Sequence, residues 1–152
     1  MSAIRDRIIK YSDWAVAHQK PQSYGSGGRP PRDWPTPNVW PQNTDCSGGV
    51  TLVYMWATCG NPVYDPNGAN WTGASSAPML SHGHAIKLSN ATPGGLIIHA
   101  NHVEMFLEPY HGDSTKVVGW GSAPGHATTL GAENEWQLMN RGGRPYYRSY
   151  FP

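Results

Sequence analysis

Two residues in this chain have the type and setting for covalent chemistry on an acyl group. They are Cys46, in Asp45-Cys46-Ser47-Gly48-Gly49, and His102, in His102-Val103-Glu104. A thiol attacks a carbonyl carbon as the thiolate, so a nucleophilic cysteine needs surroundings that favour loss of its proton and a base to take it. Downstream of Cys46, Val50, Val53, Tyr54 and Ala57 recur at helical spacing, and Gly60 followed by Asn61-Pro62 is a stop signal. The spacing therefore predicts a helix that begins at Cys46. Its first turn presents unpaired backbone N–H groups and the positive end of the helix dipole, which favour a thiolate and can also hold an oxyanion. Asp45 stands where a helix cap belongs. Glycines inside a helix each cost roughly 1 kcal/mol against alanine, so Gly48 and Gly49 point to the close approach of a neighbour or a ligand.

The base would come from a strand. His102 to Leu107 alternates, with Val103, Met105 and Leu107 on one face and His102, Glu104 and Phe106 on the other. Glu104 is thus the nearest acceptor for an imidazole N–H, ahead of His111 and His126 in loop-like sequence. Taken singly, each residue has a plainer reading: a lone cysteine is most often a small buried hydrophobe, and a strand histidine is most often solvated or structurally hydrogen-bonded. The pair carries the chemical reading.

The elements that must position the pair are legible in outline. From Ala3 to Gln19, Ile4, Ile8, Tyr11 and Ala15 recur at three to four positions, an amphipathic helix that ends before Pro21. Residues 21 to 44 are rich in Pro and Gly without periodicity, and 61 to 81 are again loop-like, with Asp65-Pro66-Asn67-Gly68 as a turn signal. Leu96 to His99, His102 to Leu107 and Lys116 to Trp120 read as successive strands, and Tyr146 to Phe151 as a closing one, whereas Gly119 to Gly143 shows little pattern. The length of 152 residues matches one domain, residues 1–152.

Composition excludes several classes. A net charge of +1 with scattered Lys and Arg gives no basic field for nucleic acid. No apolar run approaches the roughly 20 residues of a membrane span, and the charged N-terminus does not read as a signal peptide. The two cysteines, Cys46 and Cys59, would stand roughly 20 Å apart along one helix, too far for a disulfide, so both are expected to be free thiols. Imidazoles in His82-Gly83-His84 and at His99 and His102 invite a metal reading, but no carboxylate or Cys stands at a convincing ligand spacing beside them.

Asp45-Cys46-Ser47-Gly48 followed by an apolar helix resembles the nucleophile motif of the NlpC-type peptidases, papain-like enzymes that cut the peptide stems of bacterial peptidoglycan. Tyr24-Gly25-Ser26-Gly27-Gly28 lies upstream, where that family places a Tyr before glycines, and His102-Val103 begins a strand downstream. More narrowly, Tyr24 to Pro31, the helix through Trp56, His102-Val103 with Leu107-Glu108-Pro109, and the ending Tyr150-Phe151-Pro152 are similar to peptidase modules of endolysins from phages of actinobacteria. The resemblance covers most of the chain. It implies an α+β fold in which an N-terminal helix and the nucleophile helix pack on an antiparallel sheet of about five strands, with the cleft between helix and sheet.

The resemblance also implies the activity: a cysteine endopeptidase or amidase acting on peptidoglycan, with Cys46 as nucleophile, His102 as base and no metal or organic cofactor. In that family a polar residue on the next strand usually orients the histidine. The corresponding position here is Trp120, whose indole N–H donates and cannot accept, and Glu104 is the replacement expected from the strand pattern. Tyr24, Asp45, Ser47 and Trp120 are expected on the substrate side, Asp45 also as the cap. The partner is bacterial peptidoglycan, together with other phage virion proteins if the chain is carried in a virion. The protein would otherwise stay in the host cytoplasm until lysis and then act at the cell wall. The rival readings are a phage tail component that keeps the fold without catalysis, and a zinc-dependent amidase.

Overall fold

A helix with all twelve residues buried, α2 (Cys46–Ala57), forms the centre of the fold. A helix covered on every side needs partners on every side, and the chain supplies them as a second helix and a sheet. The structure is a computed structural model that describes residues 2–18, 23–24, 43–120, 126–134 and 145–151.

Helix α1 (Ala3–His18) lies along α2 and buries Ile8, Ser12 and Ala15. Trp14 and Tyr11 meet Trp56 edge-on, with ring centroids 5.6 and 6.5 Å apart, a favoured aromatic geometry. Arg7 donates from Nε to the carbonyl of Ala57 and so satisfies a carbonyl in the last turn of α2. The sequence-predicted helix agrees with α1, apart from Gln19, which lies outside the described residues.

On its other side α2 packs against a six-stranded antiparallel sheet ordered β3-β8-β4-β5-β6-β7. These strands are β3 (His84–Ala85), β4 (Leu96–His99), β5 (His102–Phe106), β6 (Lys116–Gly119), β7 (His126–Thr129) and β8 (Tyr146–Ser149). Two further two-residue strands, β1 (Ser23–Tyr24) and β2 (Asn43–Thr44), pair in parallel away from it. The α+β expectation holds, with six strands in the sheet rather than about five. The unforeseen strands are β3 and β7, short and polar edge strands with no apolar alternation to betray them.

Both faces of the central strands are covered. Leu96, Ile98, Val103, Met105, Leu107, Val118 and Trp120 join the helices in the main core. On the reverse face, Ile97, Phe106 and Val117 meet Ala91 and Leu130 in a smaller cluster with Tyr110 and Tyr147 at its rim. The alternation read in His102 to Leu107 is therefore real, but its second face is also buried. Leu130 belongs to a short helical segment at 130–134 that follows β7.

The loop between α2 and the sheet is held by one buried carboxylate. Asp65 accepts from the backbone N–H groups of Asn67, Ala69 and Trp71 and from Asn67 Nδ2, at 2.9 to 3.0 Å. Asn67 Nδ2 also donates to Thr51 Oγ1 at 3.0 Å, which ties the loop to α2. The Asp65-Pro66-Asn67-Gly68 turn signal thus marks an anchored loop. A four-residue helix, α3 (Ser76–Met79), follows it.

Candidate active site

Asp45 fixes the start of α2. Its extended backbone, with φ −129° and ψ −175°, ends the preceding strand, and its Oδ1 accepts from Gly48 N at 2.8 Å and from Ser47 Oγ at 3.2 Å. Its carbonyl accepts the first helical bond, from Gly49 N at 3.0 Å. This is a helix cap, the structural role expected for Asp45. Ser47, expected beside substrate, is buried and spends its hydroxyl on the same cap.

The cap leaves Cys46 as the first helical residue, 4 % exposed, at the end of α2 that meets the start of β5. Burial pushes its thiol pKa up. A hydrogen bond with the His102 side chain, the charge of that ring and the Val103 backbone N–H pull it down further, against a smaller upward push from Asp45. The net result lies below the ordinary thiol value. Cys46 and Cys59 are both free thiols, Cys46 buried and Cys59 exposed. The absence of a disulfide between them is as the helix requires.

His102 is delivered by a tight hairpin. His99 pairs with His102 across a two-residue turn, Ala100-Asn101, and Asn101 takes the left-handed conformation with φ 57°, which Asn tolerates better than most residues. The turn sets His102 at the first position of β5. Its Nε2 lies 2.7 Å from Glu104 Oε1, and both side chains are buried. With Nε2 held by Glu104, Nδ1 is the ring nitrogen left for the thiol. Among the described residues Nδ1 has no other hydrogen-bond partner.

Room for Glu104 comes from the neighbouring strand. Gly119 is paired with Glu104 in register, and a Cβ there would lie 2.9 Å from Glu104 Cγ. Trp120, the next residue, was expected beside substrate. It is instead fully buried in the main core. Its ring lies over α2 so closely that a Cβ on Gly49 would meet Trp120 Cδ2 at 2.3 Å. A neighbour's close approach was expected to explain the glycines, and at Gly49 that neighbour is Trp120.

Glu133, in the 130–134 segment, brings a second carboxylate to the ring, with Oε1 3.8 Å from His102 Nε2. Nothing in the sequence singled it out, because the surrounding Gly119 to Gly143 stretch has no period to place it on a face. His99 stands directly across the hairpin from His102 and is buried. His111 is exposed and hydrogen-bonds Glu108 at 2.6 Å; His82 is exposed, with Nδ1 2.9 Å from the Pro78 carbonyl; and the side chain of His126 lies outside the described residues. Tyr24 is placed by its backbone alone. It pairs with Thr44, two residues before Cys46, while its side chain and the glycines after it lie outside the described residues.

The assembled set is a polarised thiol at a helix N-terminus, an imidazole against it and a buried carboxylate behind the imidazole. Such a set can generate a thiolate, attack an acyl carbon and return a proton to the leaving group. No family model and no curated protein sequence matches the chain.

Proposed function

We propose that the chain is a papain-like cysteine hydrolase of the NlpC type that cuts peptide stems of bacterial peptidoglycan. The observation that carries this reading is the Cys46–His102–Glu104 relay, with a lowered thiol pKa at one end and a 2.7 Å carboxylate–imidazole hydrogen bond at the other.

His102 withdraws the thiol proton, and Cys46 Sγ attacks the scissile carbonyl. The oxyanion forms at the first turn of α2, where the Cys46 backbone N–H can donate to it. The imidazolium, held by Glu104, gives its proton to the leaving amine. A water deprotonated by His102 then hydrolyses the thioester and restores the thiolate–imidazolium pair. The stem peptide as substrate, cut beside a D-amino acid or diaminopimelate, follows from the motif resemblance, as does a place in a phage lysis enzyme or virion.

The test is loss of turbidity of purified actinobacterial walls, with released peptide ends counted. The intact protein should clear the walls, and Cys46→Ala should abolish clearing with the fold retained. Equal clearing by the Cys46→Ala protein would remove the cysteine mechanism.

A further inference from the structure

We propose that His102 Nε2, Glu104 and Glu133 form a binding site for a divalent transition-metal ion of the zinc class, and that the metal competes with the Glu104 hydrogen bond for the same ring nitrogen. Among the described residues, these three offer one imidazole nitrogen and two carboxylate oxygens that all lie within 4.8 Å of one another. His102 and Glu104 project together because they are two residues apart on β5. Glu133 comes from the separate 130–134 segment, so the site needs the tertiary fold.

The distances suit such an ion. Two ligands about 2.0–2.1 Å from a tetrahedral zinc stand roughly 3.3 Å apart. The present separations from Nε2 are 2.7 Å to Glu104 and 3.8 Å to Glu133, one slightly short and one slightly long. Small opposite movements of the two carboxylates would bring both separations from Nε2 into range. One nitrogen and two oxygens suit zinc and its neighbours, whereas calcium and magnesium prefer more ligands, all of them oxygen.

Binding of the metal is independent of the hydrolase reading; its consequence for activity rests on it. A metal on Nε2 inserts between the ring and the carboxylate that orients it and leaves the ring proton on Nδ1, the nitrogen that would take the thiol proton, so the metal-loaded protein should be inactive. This is a different role from a catalytic zinc, and different residues from the His82-Gly83-His84 and His99 pattern that the sequence offers.

The experiment is calorimetric titration of the intact protein with zinc chloride at neutral pH, repeated on Glu133→Gln and Cys46→Ser. We expect one tight site, weakened by at least about 10-fold in Glu133→Gln and unchanged in Cys46→Ser, since Cys46 is not among the three clustered ligands. Unchanged affinity in Glu133→Gln, or loss of binding in Cys46→Ser, overturns the site. Wall hydrolysis is then followed with chelator and with one equivalent of zinc. Inhibition by zinc that chelator reverses supports the competition, and hydrolysis that requires zinc overturns it. If the chelated protein hydrolyses nothing while zinc affinity still depends on Glu133, the metal site stands and the hydrolase reading is what fails.

Discussion

Glu104 and His102 sit two residues apart on one strand, joined by a 2.7 Å hydrogen bond between Oε1 and Nε2 with both side chains buried. A partner at i+2 shares the strand face automatically, so no residue from the next strand has to reach the ring. The next strand contributes an absence instead, the missing side chain of Gly119 opposite Glu104.

The first prediction tests this pair. Glu104→Gln keeps an oxygen that can accept from Nε2–H but removes the charge that stabilises an imidazolium. On the proposed hydrolase reading, its kcat/KM on peptidoglycan fragments should fall by roughly 10²-fold, with KM little changed because Glu104 acts through His102. Glu104→Ala should fall further, since nothing then fixes the ring. A Glu104→Gln enzyme with the wild-type rate would show that the hydrogen bond only packs the core.

The second prediction concerns the thiol itself, read in a Cys59→Ser background so that one cysteine reports. Small-alkylator labelling of Cys46 should show its inflection below that of an ordinary thiol, and His102→Ala should move it upward, because His102 supplies the leading downward pulls against burial. The sign for stability follows. A folded thiol that loses its proton more readily than the unfolded one contributes stability above the unfolded value, and loses that contribution as pH falls through the lowered folded value. The Tm advantage of wild type over Cys46→Ser should therefore grow as pH rises toward 9.

The third prediction separates the two roles of Asp45. Asp45→Ala removes the acceptor for Gly48 N–H and Ser47 Oγ and should cost about 1 kcal/mol in chemical denaturation. Asp45→Asn keeps an equivalent cap, so stability should stay within a few tenths of a kcal/mol. The negative charge that raises the Cys46 pKa is gone in Asp45→Asn, so alkylation at pH 7 should be faster than in the wild type. A slower thiol in Asp45→Asn would contradict the assigned sign.

Why the sequence disclosed some of this and not the rest is itself physical. Cys46 was placed correctly because a helix start is a local event, written in Asp45, the apolar spacing and Gly60. His102 and Glu104 were placed because period two on a strand puts them on one face. Glu133 was invisible: its distance to His102 is set by how β7 and the segment after it return to the sheet, and their polar sequence carries no period. Trp120 stands where the resemblance points to a site position, and in the fold it packs fully buried in the main core. A large indole beside a helix glycine is core filling, and only three dimensions show which glycine faces it.

Gly49→Ala is the fourth test. The substitution gains up to about 1 kcal/mol of helix propensity, but its Cβ would meet the Trp120 ring at 2.3 Å, and that ring is fully buried. Overpacking of this kind costs about 1–3 kcal/mol, so the variant should be less stable than wild type in urea. Trp120→Leu combined with Gly49→Ala should recover part of the loss beyond what the single variants predict, which a double-mutant cycle would measure.

Gly119→Ala makes the contrasting case, and it discriminates best between a packing defect and a site defect. Its Cβ would lie 2.9 Å from Glu104 Cγ, so the group that must yield is the side chain that holds His102. Moving that buried side chain costs about 1–3 kcal/mol of overpacking and also lengthens a charge-assisted bond whose strength depends on its shortness. The variant should therefore lose roughly 10-fold or more in kcat beyond any loss of stability, in proportion to the general acid–base contribution it disturbs. Its alkylation profile at Cys46 should shift less than in His102→Ala, because the imidazole is still present and only its support has moved. If Gly119→Ala instead lost stability as Gly49→Ala does while keeping its kcat, the space opposite Glu104 would be a packing requirement with no bearing on the base.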